Sequence, residues 1–180
     1  MNYQSIHSIK GVMPTVDWFE RIKANVNFKD KTVVDVGSCE GVFSYLIKKE
    51  GAKVVMAVEE QEDRMAEAIS LFKATDTPVV CENVKIQQIE FKEPWDIFFL
   101  SMIIHWIGEE EVKKLLPHCN EVVIIFREKN HNYEIPTNGV WFPTVEELDK
   151  SMVGFKRKHS ELLMTQNEDQ NIILAIYVKA

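Results

Sequence analysis

The stretch Asp35-Val36-Gly37-Ser38-Cys39-Glu40-Gly41 ends a short β-branched run and opens a helical period, and it is well suited to hold a ligand. Two glycines let the backbone turn tightly and bring a ligand close to exposed amides at a helix N-terminus, whereas a plain strand-to-helix turn needs only one. A dinucleotide site would place glycines at 37, 39 and 42, but this chain has Gly37, Cys39 and Val42. The spacing therefore points away from a pyrophosphate. His105 follows another apolar run and offers an imidazole that can take a proton near neutral pH, unless backbone groups hold it structurally. Arg127, His131, Tyr133 and Trp141 follow a third run. A guanidinium there can neutralise a carboxylate or phosphate, and the indole can stack on a planar substrate or anchor its own loop to the sheet.

These residues need elements that carry them to one place, and alternating periods supply such elements. Thr32 to Val36 reads as a buried strand, Gly41 to Glu50 as a helix closed by Gly51, Val54 to Val58 as a second strand and Glu62 to Ala74 as a second helix. Val79 to Cys81 and Trp95 to Leu100 are the next strands. Glu109 to Leu116 is a helix ended by Pro117, and Val122 to Phe126 is the fifth strand. A loop spans 129–143. Thr144 then caps a helix to about Val153 with Glu147 as its capping-box partner. Strands at 156–164 and 172–178 flank the polar turn Gln166 to Gln170, and a leading helix covers Thr15 to Ala24. The expected fold is α/β: a Rossmann-like, open, mostly parallel seven-stranded sheet with a C-terminal antiparallel hairpin and helices on both faces. Ligands in such sheets bind at the carboxyl ends of the strands.

Composition bounds the rest. A chain of 180 residues, 46% hydrophobic, is expected to form one domain over 1–180. The net charge of −7 and pI near 5.3 oppose unspecific adhesion to nucleic acid and anionic lipid. Three separated cysteines, Cys39, Cys81 and Cys119, give neither a disulfide framework nor a zinc knuckle, so no metal is expected and the compartment reads as reducing. No export signal or long apolar span is visible, which makes the cytosol the expected location.

The pattern Asp35-x-Gly37-x-x-x-Gly41 resembles motif I of the class I S-adenosylmethionine-dependent methyltransferases. The resemblance implies that Asp35, Gly37, Ser38, Cys39 and Gly41 pass beneath the methionine part of that cofactor, with Cys39 standing where the family commonly has glycine. Glu59, directly after the second strand, is then placed to accept hydrogen bonds from both ribose hydroxyls. Glu60 beside it joins the cofactor set or, with Glu62, is a solvated carboxylate at a helix start. The family's adenine contacts map onto Glu82, Asn83 and Val84, chiefly Asn83 or the Val84 amide. Asp96 through His105-Trp106 resembles motif IV of the small-molecule and RNA-modifying branches. This puts Ser101 and Met102 at the sulfonium end, His105 as candidate general base and Trp106 in the substrate set. It lacks the Asn/Asp-Pro-Pro-Tyr motif of amino-methylating DNA enzymes.

Asn138-Gly139-Val140-Trp141-Phe142-Pro143-Thr144, then Leu148 and Gly154-Phe155, is similar to a segment of the enzymes that methylate or carboxymethylate the wobble uridine of tRNA, as is Phe28 to Gly37. The resemblance implies S-adenosylmethionine as cofactor and methyl transfer as activity. The acidic surface favours a small-molecule acceptor over a tRNA base, and binding of the cofactor without catalysis is the third reading. Lys156-Arg157-Lys158-His159 is the only basic run, either a solvated strand start or an RNA footprint. Only the first thirty residues and the loop at 129–143 are left to recognise an acceptor, so the acceptor is expected to be small or the site completed by a second copy or a partner protein.

Overall fold

The computed structural model describes residues 14–129, 141–167 and 170–180. It groups into two compact units, Met1–Glu90 and Phe91–Ala180. In the first, helix α1 (Thr15–Lys23) leads into strand β1 (Thr32–Val36), helix α2 (Val42–Lys49), strand β2 (Val54–Val58), helix α3 (Glu62–Ala74) and strand β3 (Val80–Glu82). Strands β1, β2 and β3 are parallel neighbours, with Val36 opposite Val58 and Val58 opposite Glu82. Their β-branched residues suit a sheet buried on both faces, and Val33, Val34, Val36, Val55 and Ala57 are all buried. Helices α2 and α3 meet through Tyr45, Ala68 and Phe72, which pack in one cluster with Met65 and Ala57.

The second unit holds strand β4 (Trp95–Ser101), helices α4 (Ile104–Ile107) and α5 (Glu109–Leu115), strand β5 (Cys119–Lys129), helix α6 (Val145–Ser151), and strands β6 (Phe155–Asn167) and β7 (Gln170–Lys179). Strand β5 runs parallel to β4, antiparallel to β7, and β7 is antiparallel to β6. The strand order is β3-β2-β1-β4-β5-β7-β6; the seven strands, mostly parallel with a C-terminal antiparallel pair, agree with the expectation, which carries no strand order.

Several boundaries differ from the expectation for identifiable reasons. Pro117 does not simply end a helix at Leu116: α5 stops at Leu115, and Pro117 sits in a 3₁₀ turn, Leu116–His118, whose first positions tolerate its missing N–H. Strand β5 extends to Lys129 because β7 supplies a partner for every residue from Glu121 to Lys129, polar ones included. The Thr144 capping box forms as predicted: the Glu147 amide donates to Thr144 Oγ1 (3.2 Å) and the Thr144 amide to Glu147 Oε2 (2.9 Å). Among the described residues no helix is long and apolar enough to cross a membrane.

Candidate cofactor and acceptor sites

In the first unit the turn after β1 folds back over the end of β2. The amides of Gly37 and Ser38 both donate to the Val58 carbonyl (2.8 and 3.0 Å), and the Gly41 amide donates to Ser38 (2.9 Å). The Cys39 amide donates to Glu59 Oε2 (2.9 Å). The turn thus spends four donors on the protein itself, three of them on acceptors at or just after the end of β2. What the turn offers instead is backbone shape. Gly37, Cys39 and Gly41 all take left-handed conformations, with φ of 70°, 55° and 78°.

Gly41 is also required sterically. A Cβ there would lie 2.7 Å from Phe72 Cζ and 2.8 Å from the Ala68 Cβ, so α3 packs directly on the start of α2. Cys39 pays for its missing glycine with strain, since a side chain at positive φ crowds the following carbonyl. Its buried Sγ is met by Arg64 Nη1 at 3.1 Å, and burial pushes the thiol up to about 11. Arg64 carried no sequence signal; only its place one turn into α3 brings it to the thiol.

Glu59 is 6% exposed, and both its carboxylate oxygens are held: Oε2 by the Cys39 amide and Oε1 by the Gln61 amide at 2.9 Å. Asn83 Nδ2 donates to the Glu59 carbonyl at 2.8 Å, so this predicted adenine contact ties β3 to β2. A carboxylate accepts about four hydrogen bonds. Two acceptor positions on Glu59 are therefore left for a vicinal diol, with the carboxylate already oriented. Glu60 is a solvated carboxylate 3.8 Å from Lys85 Nζ, and Val84 is half-buried.

Asp35 lies wholly inside. Ser44 Oγ donates to its Oδ2 at 2.6 Å, while Oδ1 and the Ser38 hydroxyl are buried with no partner among the described residues. Burial raises the Asp35 carboxyl to about 7, partly countered by Ser44. Two orphaned polar atoms beneath a left-handed turn, with an oriented diol acceptor beside it, fit the ribosyl and amino-acid portions of a nucleoside cofactor.

In the second unit β4 ends at Ser101, half-buried, and Met102 follows with φ 58°, its amide donating to Ile125 at 2.7 Å. His105 comes next on α4. Its Nδ1 lies 3.0 Å from the Trp141 carbonyl and its Nε2 accepts the Arg127 amide at 2.9 Å. These partners assign the tautomer: Nδ1–H donates and Nε2 accepts. Phe142 stacks on the ring at 4.5 Å between centroids. Burial lowers the imidazole to about 4. Of the two readings open for His105, this arrangement is the backbone-held one: both nitrogens are engaged, and the ring fixes Trp141 and Phe142 against β5.

Trp141 is half-buried and enters this network through its carbonyl; Trp106 is 77% exposed. Arg127 is half-buried at the end of β5. His131, Tyr133, Asn138, Gly139 and Val140 lie outside the described residues. The basic run is largely neutralised: Arg157 pairs with Asp149 (3.2 Å), Lys158 with Glu121 (3.4 Å), and His159 lies 3.3 Å from Glu161.

No protein-family model matches the chain, and no curated protein matches it at a significant level. Solved structures do match it. The magnesium protoporphyrin IX methyltransferase of Synechocystis PCC 6803, with bound S-adenosylmethionine, superposes with a TM-score of 0.72 at 16% identity, over 92% of this chain and 78% of that one. An S-adenosylmethionine-dependent methyltransferase from Mesorhizobium loti gives 0.67 at 16% identity, over 90% and 97%. The fold is that of the S-adenosylmethionine-dependent methyltransferases. A (4+2)-cyclase, SpnF, gives 0.79 at 10% identity, over 99% and 86%. A fold shared with a cyclase identifies a scaffold, and chemistry has to be argued from the site.

Proposed function

We propose that the chain binds S-adenosylmethionine and transfers its methyl group to a small-molecule acceptor. The observation that carries this reading is Glu59, a carboxylate at the end of β2 held by two backbone amides with two acceptor positions left over. In the same unit the turn from Gly37 to Gly41 and the orphaned Asp35 and Ser38 atoms would hold the cofactor's methionine portion. Ser101 and Met102 would line its sulfonium end, and Asn83 and Val84 its adenine.

When bound, the cofactor would supply an electrophilic methyl carbon with a neutral thioether as its leaving group. The protein's own contribution is placement, which supplies most of what such a reaction needs. His105 orients the Trp141–Phe142 segment and takes no proton, so a base-independent nucleophile such as an amine suits the site better than an alcohol.

Calorimetry with S-adenosylmethionine and S-adenosylhomocysteine tests the premise, and binding of neither defeats it. Transfer of labelled methyl is then compared between a metabolite extract and bulk tRNA. The ion-paired state of Arg157 and Lys158 argues against the tRNA acceptor, and label in tRNA alone would overturn the small-molecule reading. Tight binding with no transfer to either pool would instead make this a cofactor-binding protein.

A further inference from the structure

We propose that the acceptor carries an oxyanion, a carboxylate or a phosphate monoester, and that Arg127 is the residue that binds it. The proposal deepens the methyl-transfer reading and rests on it for the identity of the ligand as acceptor.

Ser101, the last residue of β4, pairs with Ile125. Strand β5 continues past that point with β7 alone, so Arg127, opposite Ile172, stands beyond the carboxyl end of the parallel pair. That edge is where open α/β sheets bind ligands. The backbone of Arg127 is fixed by its amide bond to His105. Its side chain is not: Nε is closed off from solvent and has no partner among the described residues. The other three arginines are engaged, Arg64 with Cys39, Arg157 with Asp149 and Arg21 with further contacts. The adjacent carboxylate, Glu128, is committed to the Val145 amide at 3.0 Å.

A guanidinium N–H sealed from water without an acceptor is destabilising, and an oxyanion offers it a charge-assisted, two-pronged bond. Burial keeps His105 beside it neutral, and no carboxylate among the described residues pairs with the Arg127 guanidinium. On a chain of net charge −7 this local cation, not the general field, would select an anion.

The test titrates sodium benzoate, phenyl phosphate and neutral benzamide into the full chain and its Arg127→Gln and Arg127→Lys variants, with far-UV circular dichroism confirming the fold. Because only the Arg127 backbone bonds to His105, both variants should fold. The wild type should bind at least one anion about tenfold or more tighter than benzamide, and Arg127→Gln should lose that affinity about tenfold. Arg127→Lys should retain part of it, having the charge without the fork. Which anion binds tighter distinguishes a carboxylate acceptor from a phosphorylated one. Equal anion affinity in wild type and Arg127→Gln, or no anion binding up to about 10 mM, overturns the proposal. S-adenosylhomocysteine affinity is measured on the same proteins. Cofactor binding without Arg127-dependent anion binding defeats this proposal alone, while anion binding without cofactor binding defeats the methyl-transfer reading and leaves an anion site.

Discussion

Replacing Gly41 with alanine tests the idea that the turn is shaped by the packing of α3 on α2. Two costs add. A side chain at φ 78° brings left-handed strain of about 1–2 kcal/mol. The new Cβ would also meet Phe72 Cζ at 2.7 Å and the Ala68 Cβ at 2.8 Å, inside contact distance, and overpacking of this kind costs about 1–3 kcal/mol. The stiffer unfolded chain returns somewhat less than about 1 kcal/mol. The expected net loss is about 1–4 kcal/mol, which for a chain of this length lowers the melting temperature by about 2–16 °C. Urea unfolding of Gly41→Ala is to be compared with Gly154→Ala, where φ is 81° but nothing lies within 4 Å, so that strain acts there without crowding. The difference between the two isolates the contact with α3. Phe72→Leu, which removes Cζ, should cost less in the Gly41→Ala background than in the wild type. If Gly41→Ala is no worse than Gly154→Ala, or if Phe72→Leu gives no rescue, the steric account of the turn is wrong.

Glu59→Gln should weaken S-adenosylhomocysteine binding about tenfold or more by calorimetry, since an amide nitrogen cannot accept from the Cys39 or Gln61 amide and the diol acceptor loses its orientation. Unchanged affinity would remove Glu59 from the ribose role. At position 39, glycine should be more stable than alanine by about 1 kcal/mol in urea unfolding, because both lose the Arg64 contact and only alanine keeps the left-handed strain. Two buried groups should give opposing pH dependences. Burial lowers His105 from 6.5 to about 4, so its contribution is present above pH 6.5 and is lost as pH falls toward 4, about 3 kcal/mol in all. Burial raises Asp35 from 3.8 to about 7, so stability present below pH 3.8 is lost as pH rises through 7, about 4 kcal/mol. Between roughly pH 4 and 6.5 stability should therefore rise with pH in Asp35→Asn and fall with pH in His105→Gln, and identical slopes would refute both assignments.

Much of the fold was legible because its strands are buried on both faces and so read as unbroken apolar runs; α3 is found at Glu62–Ala74 as periodicity predicts. The four-residue α4 was not, since one turn has no period to detect. The polar end of β5 was not either, because Arg127-Glu128-Lys129 is apolar in neither alternation nor run and pairs only because β7 is there. In the site, the place of Glu59 directly after a strand was legible, while the two amides that orient its carboxylate were not. His105 reads either as a base or as a backbone-held ring because a histidine after an apolar strand has the same sequence whether its nitrogens face a substrate or two backbone groups. Arg64, Ser44 and Phe142 left no signal, for each matters through one long-range contact that spacing does not encode.

The distribution of strain points back to the same turns. Among the described residues, four that are not glycine have positive φ: Asp30, Cys39, Asp76 and Met102. The two aspartates lie in turns and belong to the residue types that tolerate this region by bonding locally. Cysteine and methionine have no such compensation, yet they sit just after the carboxyl ends of β1 and β4. Each is held there by something other than preference. The Cys39 amide is bound by Glu59 and its sulfur by Arg64, and the Met102 amide is pulled to 2.7 Å from Ile125. Glycine at either place would relieve the strain and surrender the side chain. Strain kept at two strand ends, with Asp35 Oδ1 and the Ser38 hydroxyl unpaired next to the first, is what the proposed cofactor site would need and what packing alone would not select.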